Sequence, residues 1–314
     1  MYADRQPDSK SPRIRRMNPL APALTVLLVC AGVASPQIRY SSGQNVVPVF
    51  EGWERNADGS VNMVFGYMNR NYEEEVDIPI GVDNKIEPGE ADRNQPAHFY
   101  PRRQEFVFKV KVPKDWGDKN LVWTLTSRGK TEKAFGSLMP IWELSNLVYQ
   151  ENRRGAASLV FPEEPNSPPS IEMSGSLRRT ATVGEPVTLT VQVADDGNPK
   201  PVHRPSNRAG SRAGATRSIR SQSPASQAVV KLDPGVRLGV TWVVYRGGPG
   251  KVTLDPMRVP VALAASSAGD RLAGQATTTV SFSKAGQYLL RAYADDGVLV
   301  TPLDVTVAVH DPEH

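Results

Sequence analysis

The tripeptide Asp-Asp-Gly occurs twice, each time closing an alternating apolar run. Ala194–Gly197 ends GEPVTLTVQVADDG and Ala294–Gly297 ends GQYLLRAYADDG. Carboxylate oxygens gathered on loops are what Ca²⁺ prefers, so Asp195, Asp196, Asp295 and Asp296 are candidate calcium ligands. The plainer use is turn formation: Asp accepts a hydrogen bond from its own backbone two residues on, and Gly takes positive φ. No Asp-x-Asp-x-Asp loop accompanies them, so turn chemistry is the expectation and calcium the alternative. A second acidic group, Glu73, Glu74, Glu75 and Asp77 in NYEEEVDIPIG, puts Glu73, Glu75 and Asp77 on one face of an extended segment. A carboxylate pair is the machinery of glycoside hydrolysis. A row of like charges also keeps a strand edge solvated and unpaired, which is the reading preferred here. Trp53, Tyr67 and Tyr72 lie near this group, as a sugar-stacking surface or as core and rim residues; Trp53 is expected in the core.

Little else in the chain suggests catalysis, and no catalytic residue is assigned. The histidines are His98, His203, His310 and His314; His98, in PAHFYPRR, has no HxH or HExxH partner. There is no G-x-S-x-G elbow, and RGGPGK lacks the spacing and the following helix of a phosphate loop.

The elements that would carry these residues alternate with period two. Val61, Met63, Phe65 and Tyr67 share one face, as do Phe106, Phe108, Val110 and Val112, and Leu121, Trp123 and Leu125. NADGS, PKDWGDKN and SRGK separate the runs as turns. WELSNLVY near Trp142 is the best helical candidate. After four prolines (Pro162, Pro165, Pro168, Pro169) the alternation resumes in VTLTVQVA, VTWVVY, TTTVSF, QYLLRAYA and VLVTPLDVTVAV. The expectation is an all-β chain of two β-sandwich domains: residues 46–149, a Pro-rich linker 150–170, and residues 171–310.

AGQYLLRAYADDG, VTWVVYRG and the order of strands give the second domain a resemblance to immunoglobulin-like modules of bacterial surface proteins, including the PKD type. RGGPG stands where a PKD module often carries an Asp-Gly-rich turn. The resemblance implies Tyr288 as the corner tyrosine and Trp242 as the core tryptophan of the third strand. It also implies that the second and sixth strands end at one pole, which would bring both ADDG turns together. In the front half, PVFEGWERNADGSVNMVFGYMNRNYEEEVDIPIG and LVWTLTSRGKTEKAFG resemble a set of exported bacterial proteins that brings no known activity with it.

The first 35 residues read differently. Arg5, Lys10, Arg13, Arg15 and Arg16 precede an apolar run from Leu20 to Ala34, the pattern of a secretory signal cut after Ala34, or of an uncut membrane anchor. Cys30 is the single cysteine; Val29 precedes it where a lipoprotein signal wants a small residue. Cleavage would leave a mature chain without disulfide, thiolate nucleophile or cysteine metal site. Five basic residues against Asp4 and Asp8 remove +3 of the net +4, leaving +1, so overall charge is no argument for nucleic-acid binding.

An insertion at residues 199–227, PKPVHRPSNRAGSRAGATRSIRSQSPASQ, carries Lys200, Arg204, Arg208, Arg212, Arg217 and Arg220 and no acid. Its Ser/Ala/Gly/Pro composition predicts disorder. It is a tolerated loop, an anion-binding arm, or a basic segment lying against the four aspartates; without interleaved aromatics it does not suit base stacking. The whole reads as an exported, non-enzymatic binding or scaffolding protein of the periplasm or cell envelope. Its candidate partners are an anionic envelope polymer or another envelope protein. The alternative is a carbohydrate-active or other hydrolase using the front-half carboxylates.

Overall fold

The computed structural model describes residues 39–154, 166–199, 228–233, 235–264 and 271–312. The signal segment, the middle of the linker and residues 200–227, with all five candidate arginines, lie outside the described residues. Among the described residues no helix is long and apolar enough to cross a membrane.

The front half forms eight strands: β1 (Val46–Arg55), β2 (Val61–Asn69), β3 (Val76–Asp77), β4 (Asn84–Glu87), β5 (His98–Phe99), β6 (Arg102–Val112), β7 (Leu121–Ser127) and β8 (Lys130–Gly136). One sheet runs β1-β2-β6 and the other β4-β7-β8, with β3 paired to β5 between them in sequence. The alternating residues do what their period demands. Val61, Met63, Phe65 and Tyr67 of β2 face Leu121, Trp123 and Leu125 of β7 across one buried cluster. Its aromatic centre is Phe108, edge-on to Trp123 at 4.9 Å and stacked on Phe65 at 5.5 Å. Trp53 is in this core, as expected. Trp123 Nε1 donates to Asn84 Oδ1 at 3.0 Å, so the largest core side chain leaves no buried donor unmade.

In β6 the regular alternation fails. Phe65 pairs with Phe108 but Tyr67 pairs with Gln104, so Glu105, Phe106 and Val107 bulge out opposite Gly66. Phe106 therefore leaves the core face it was expected to share; it adopts φ 52° and packs on Tyr149 at 4.6 Å. Gly66 is what allows this. A Cβ there would lie 2.4 Å from the Gln104 carbonyl and 2.1 Å from Glu51 Oε1. The helix also begins later than expected: α1 is Asn146–Arg154, after a single 3-10 turn at Pro140–Trp142.

The back half forms β9 (Ser170–Met173), β10 (Arg178–Thr182), β11 (Val187–Asp195), β12 (Gly239–Arg246), β13 (Val252–Asp255), β14 (Arg258–Pro260), β15 (Ala262–Leu263), β16 (Leu272–Phe282), β17 (Gly286–Asp295) and β18 (Val300–His310). The sheets are β13-β16-β11-β9 and β10-β18-β17-β12-β14. β10 joins β18 in parallel while the other pairs are antiparallel, an immunoglobulin-like arrangement. Tyr288 donates its hydroxyl to the Lys284 carbonyl at 2.8 Å, the corner contact expected of it, and Trp242 is fully buried on β12.

The two sandwiches meet through the outer faces of β12 and β17. Ala97 N donates to the Tyr245 carbonyl at 3.0 Å, and Tyr293 Oη donates to the Val107 carbonyl at 3.1 Å. Arg246 grips Asp92 through both guanidinium nitrogens at 2.8 and 2.7 Å. Arg291, with its side chain almost wholly buried, pairs with Asp304 at 2.5 Å, lies over the Tyr245 ring at 3.4 Å and reaches Asn94 Oδ1 at 3.3 Å.

Candidate functional site

β11 and β17 end at one pole, and the two ADDG turns are neighbours there. Asp195 Oδ2 accepts from Gly197 N at 2.8 Å and Asp295 Oδ1 from Gly297 N at 2.7 Å, the same local closure twice. Gly197 and Gly297 adopt φ 86° and 94°, which a residue with a Cβ takes only with strain. The second aspartates reach further. Asp196 accepts from Asn198 N and Ser167 N, each at 2.8 Å. Asp296 accepts from Val298 N at 2.6 Å, Leu299 N at 2.7 Å and Asn166 Nδ2 at 3.0 Å. The end of the Pro-rich linker is thus tied to this pole, which the sequence did not signal.

The electrostatics follow from that crowding. Burial, then the charges of Asp296 and Asp196, push the Asp195 carboxyl up to about 6. Asp296 is also raised, chiefly by burial. Among the described residues Asp195 Oδ1 has no hydrogen-bond partner. Among the described residues no cluster of three or more His, Cys, Asp or Glu side chains is arranged to hold a metal.

The other acidic group is organised by the lone histidine. Asp77 and His98 are register partners in β3 and β5. His98 Nδ1 lies 2.8 Å from Asp77 Oδ1, and Nε2 lies 3.1 Å from Glu75 Oε2. A ring with a carboxylate at each nitrogen is an imidazolium donating twice. Burial opposes that charge, but the two carboxylates outweigh it and lift the His98 pKa to about 9. Glu74 is separately occupied by Gly43 N and Arg128, and Glu73 is exposed.

Where the two sandwiches meet, a cavity of about 400 Å³ opens. His98 and Tyr100 line it from the front, the bulge Glu105–Val107 forms one wall, and Val243, Tyr245 and Tyr293 form the opposite wall. Val229, Val230 and Leu232, just after the basic insertion, close a side, and Asp295 and Gly297 place one end beside the ADDG pole. Glu75 and Asp77 are not in its lining, and the nitrogens of His98 are both taken. Phe106 in the left-handed region is a backbone outlier for a bulky residue, and such strain is held where the surroundings impose it.

No family model matches the chain. No curated protein matches it either. Among solved structures, domains 4 and 5 of the S-layer protein SbsC align at 9% identity over 61% of this chain and 65% of that one, with a TM-score of 0.24. The N-terminal eight Ig domains of Down Syndrome Cell Adhesion Molecule align at 8% identity over 85% of this chain and 27% of that one, TM-score 0.22. Dpr2 Ig1–Ig2 in complex with DIP-Theta Ig1–Ig3 aligns at 10% identity over 85% of this chain and 100% of that one, TM-score 0.23. The chain spans less than two thirds of the length of the first two. Similarities this low do not bear on function.

Of the cavity's tyrosines, Tyr67 was singled out in the sequence, whereas Tyr100, Tyr245 and Tyr293 were not, although one signal was present. In VTWVVY and QYLLRAYA the residues out of phase with the core, Val243, Tyr245 and Tyr293, are as apolar or aromatic as those in phase. A strand apolar on both faces is covered on both.

Proposed function

We propose that this is an exported, non-enzymatic binding protein of the cell envelope, and that its ligand sits in the cavity between the two sandwiches. The observation that carries the reading is the character of that cavity. It is partly open, mostly apolar and of small-molecule size, yet among the described residues no nucleophile–base pair faces it, and its one lining histidine has both nitrogens in ion pairs. The hydrolase alternative needs Glu75 or Asp77 beside a substrate; both instead hold His98, outside the cavity lining.

Native mass spectrometry of the full chain purified from a cell envelope fraction tests this. The expected spectrum shows a non-covalent adduct at one-to-one stoichiometry, lost on filling the cavity with Val243→Phe. Hydrolysis of glycosides or esters that Glu75→Gln abolishes, without any adduct, would overturn the reading. Export itself predicts a mature N-terminus close after Ala34, read directly from the intact mass.

A further inference from the structure

The cavity contains hydrogen-bond donors that no described residue accepts. Tyr67 and Tyr100 are each more than nine-tenths buried, at 3% and 7% exposure. Tyr67 Oη accepts from Tyr100 N at 2.9 Å, and Tyr100 Oη accepts from Val244 N at 2.9 Å. A phenol has one donor proton besides its lone pairs. These contacts occupy lone pairs only, and among the described residues neither hydroxyl donates to an acceptor. The other two tyrosines of the lining differ: Tyr245 donates to the Asn94 carbonyl at 2.5 Å and Tyr293 to that of Val107 at 3.1 Å. Burial with an unmade donor is unfavourable, so two O–H groups in one lining are a demand for an acceptor that the described residues do not supply.

Charge narrows the chemistry. Among the described lining residues the acidic side chains are Glu105 and Asp295 and the basic ones Lys231 and His98, and His98 is already paired with Asp77 and Glu75, so the described lining offers an anionic ligand no excess of positive charge. A polyhydroxylated ligand needs a polar partner for each hydroxyl, whereas Val107, Val229, Val230, Leu232, Val243 and Val300 offer none. We propose that the cavity takes a neutral, largely apolar small molecule whose carbonyl or ether oxygens accept the Tyr67 and Tyr100 hydroxyl protons. This rests on the reading above that the cavity is the binding site.

Two neutral, flat fluorescent probes separate the possibilities: Nile red, which carries a ketone, and pyrene, which has no acceptor. Titrated into the full chain, Nile red is expected to bind one-to-one with a blue-shifted emission. Tyr67→Phe and Tyr100→Phe each keep the ring and should weaken Nile red by about three- to tenfold, the worth of one hydrogen bond. Pyrene binding should stay unchanged, which also reports an intact cavity. Val243→Phe should displace both probes. If Nile red binds but both Tyr→Phe variants leave its affinity unchanged, the ligand chemistry is overturned while the binding site stands. Tighter binding of the anionic dye anilinonaphthalene sulfonate, abolished by Val243→Phe, would overturn the neutrality argument. If no probe binds, or Val243→Phe displaces none, the binding-site reading itself fails.

Discussion

Asp195 and His98 are two buried titratable groups whose surroundings act in opposite senses. Asp195 is raised to about 6 from the ordinary aspartate value near 4, so its ionised form is disfavoured in the folded chain. The folded state then holds a proton that the unfolded state releases, and stability falls as pH climbs from about 4 to about 6. Asp195→Asn keeps an oxygen for Gly197 N and puts an amide beside Asp296. At pH 7 it is expected to stabilise the chain by up to about 2 kcal/mol, with the gain vanishing near pH 4. Urea midpoints of both proteins across that range check the sign; a destabilised Asn variant at pH 7 would mean the carboxylate has a partner that a neutral amide cannot replace. His98 works the other way. Its folded pKa of about 9 exceeds the ordinary 6.5, so its contribution is complete below about 6.5 and is lost as pH rises through about 9. His98→Gln should flatten the stability profile between those values, most clearly above pH 7. At the ADDG turns the carboxylates already close onto Gly197, Asn198, Gly297, Val298 and Leu299, so millimolar calcium against EDTA is expected to leave the melting midpoint where it is. A calcium-dependent rise that Asp195→Ala removes would establish the metal site instead.

β6 shows what one glycine settles for a whole strand. Its bulge sets Gln104 against Tyr67, sends Phe106 toward Tyr149 and builds a wall of the cavity. Gly66→Ala would drive a Cβ into the Gln104 carbonyl and the Glu51–Arg103 pair, so it should cost about 1–3 kcal/mol and disturb the cavity with it. Equilibrium unfolding gives the cost, and an unchanged midpoint would show that the bulge relaxes freely. Period-two alternation made β2, β7, β11, β12, β17 and β18 legible in the sequence, because one buried face suffices to mark a half-buried strand. It misplaced Phe106 because a bulge is a property of the pair, decided on β2. The resemblance to immunoglobulin-like modules, not the alternation, placed Tyr288 and Trp242, whose surroundings belong to one sandwich. Alternation missed Tyr100 and Tyr293 as partners because their contact joins segments far apart in the chain. His98 was visible as a residue but not as a site; its two carboxylates were read as a solvated edge, and only the pairing of β3 with β5 unites them.

At the scale of the molecule, the decisive question is whether two sandwiches behave as one. Domains joined by a Pro-rich segment ordinarily move independently unless their interface is substantial. Here the contact includes a backbone hydrogen bond from Ala97 to Tyr245, the Arg246–Asp92 fork, and a buried apolar cluster of Tyr100, Val243 and Tyr293. Each ties the fold of one half to the outer face of the other, so unfolding either half exposes the shared surface of both. Calorimetry of the full chain should therefore show a single transition with matching calorimetric and van't Hoff enthalpies. Tyr293→Ala removes a ring from the contact and its bond to Val107 while sparing the inward residues Tyr288, Leu290 and Ala292 of the same strand. It should split the transition in two, the back sandwich keeping close to its original midpoint. If instead the variant shifts one undivided transition downward, the coupling runs through the polar fork and the backbone bond, and Arg246→Ala becomes the change that must separate the halves. If the unmodified chain already melts in two steps, the sandwiches are independent, and a cavity built from both their faces cannot be a preformed binding site.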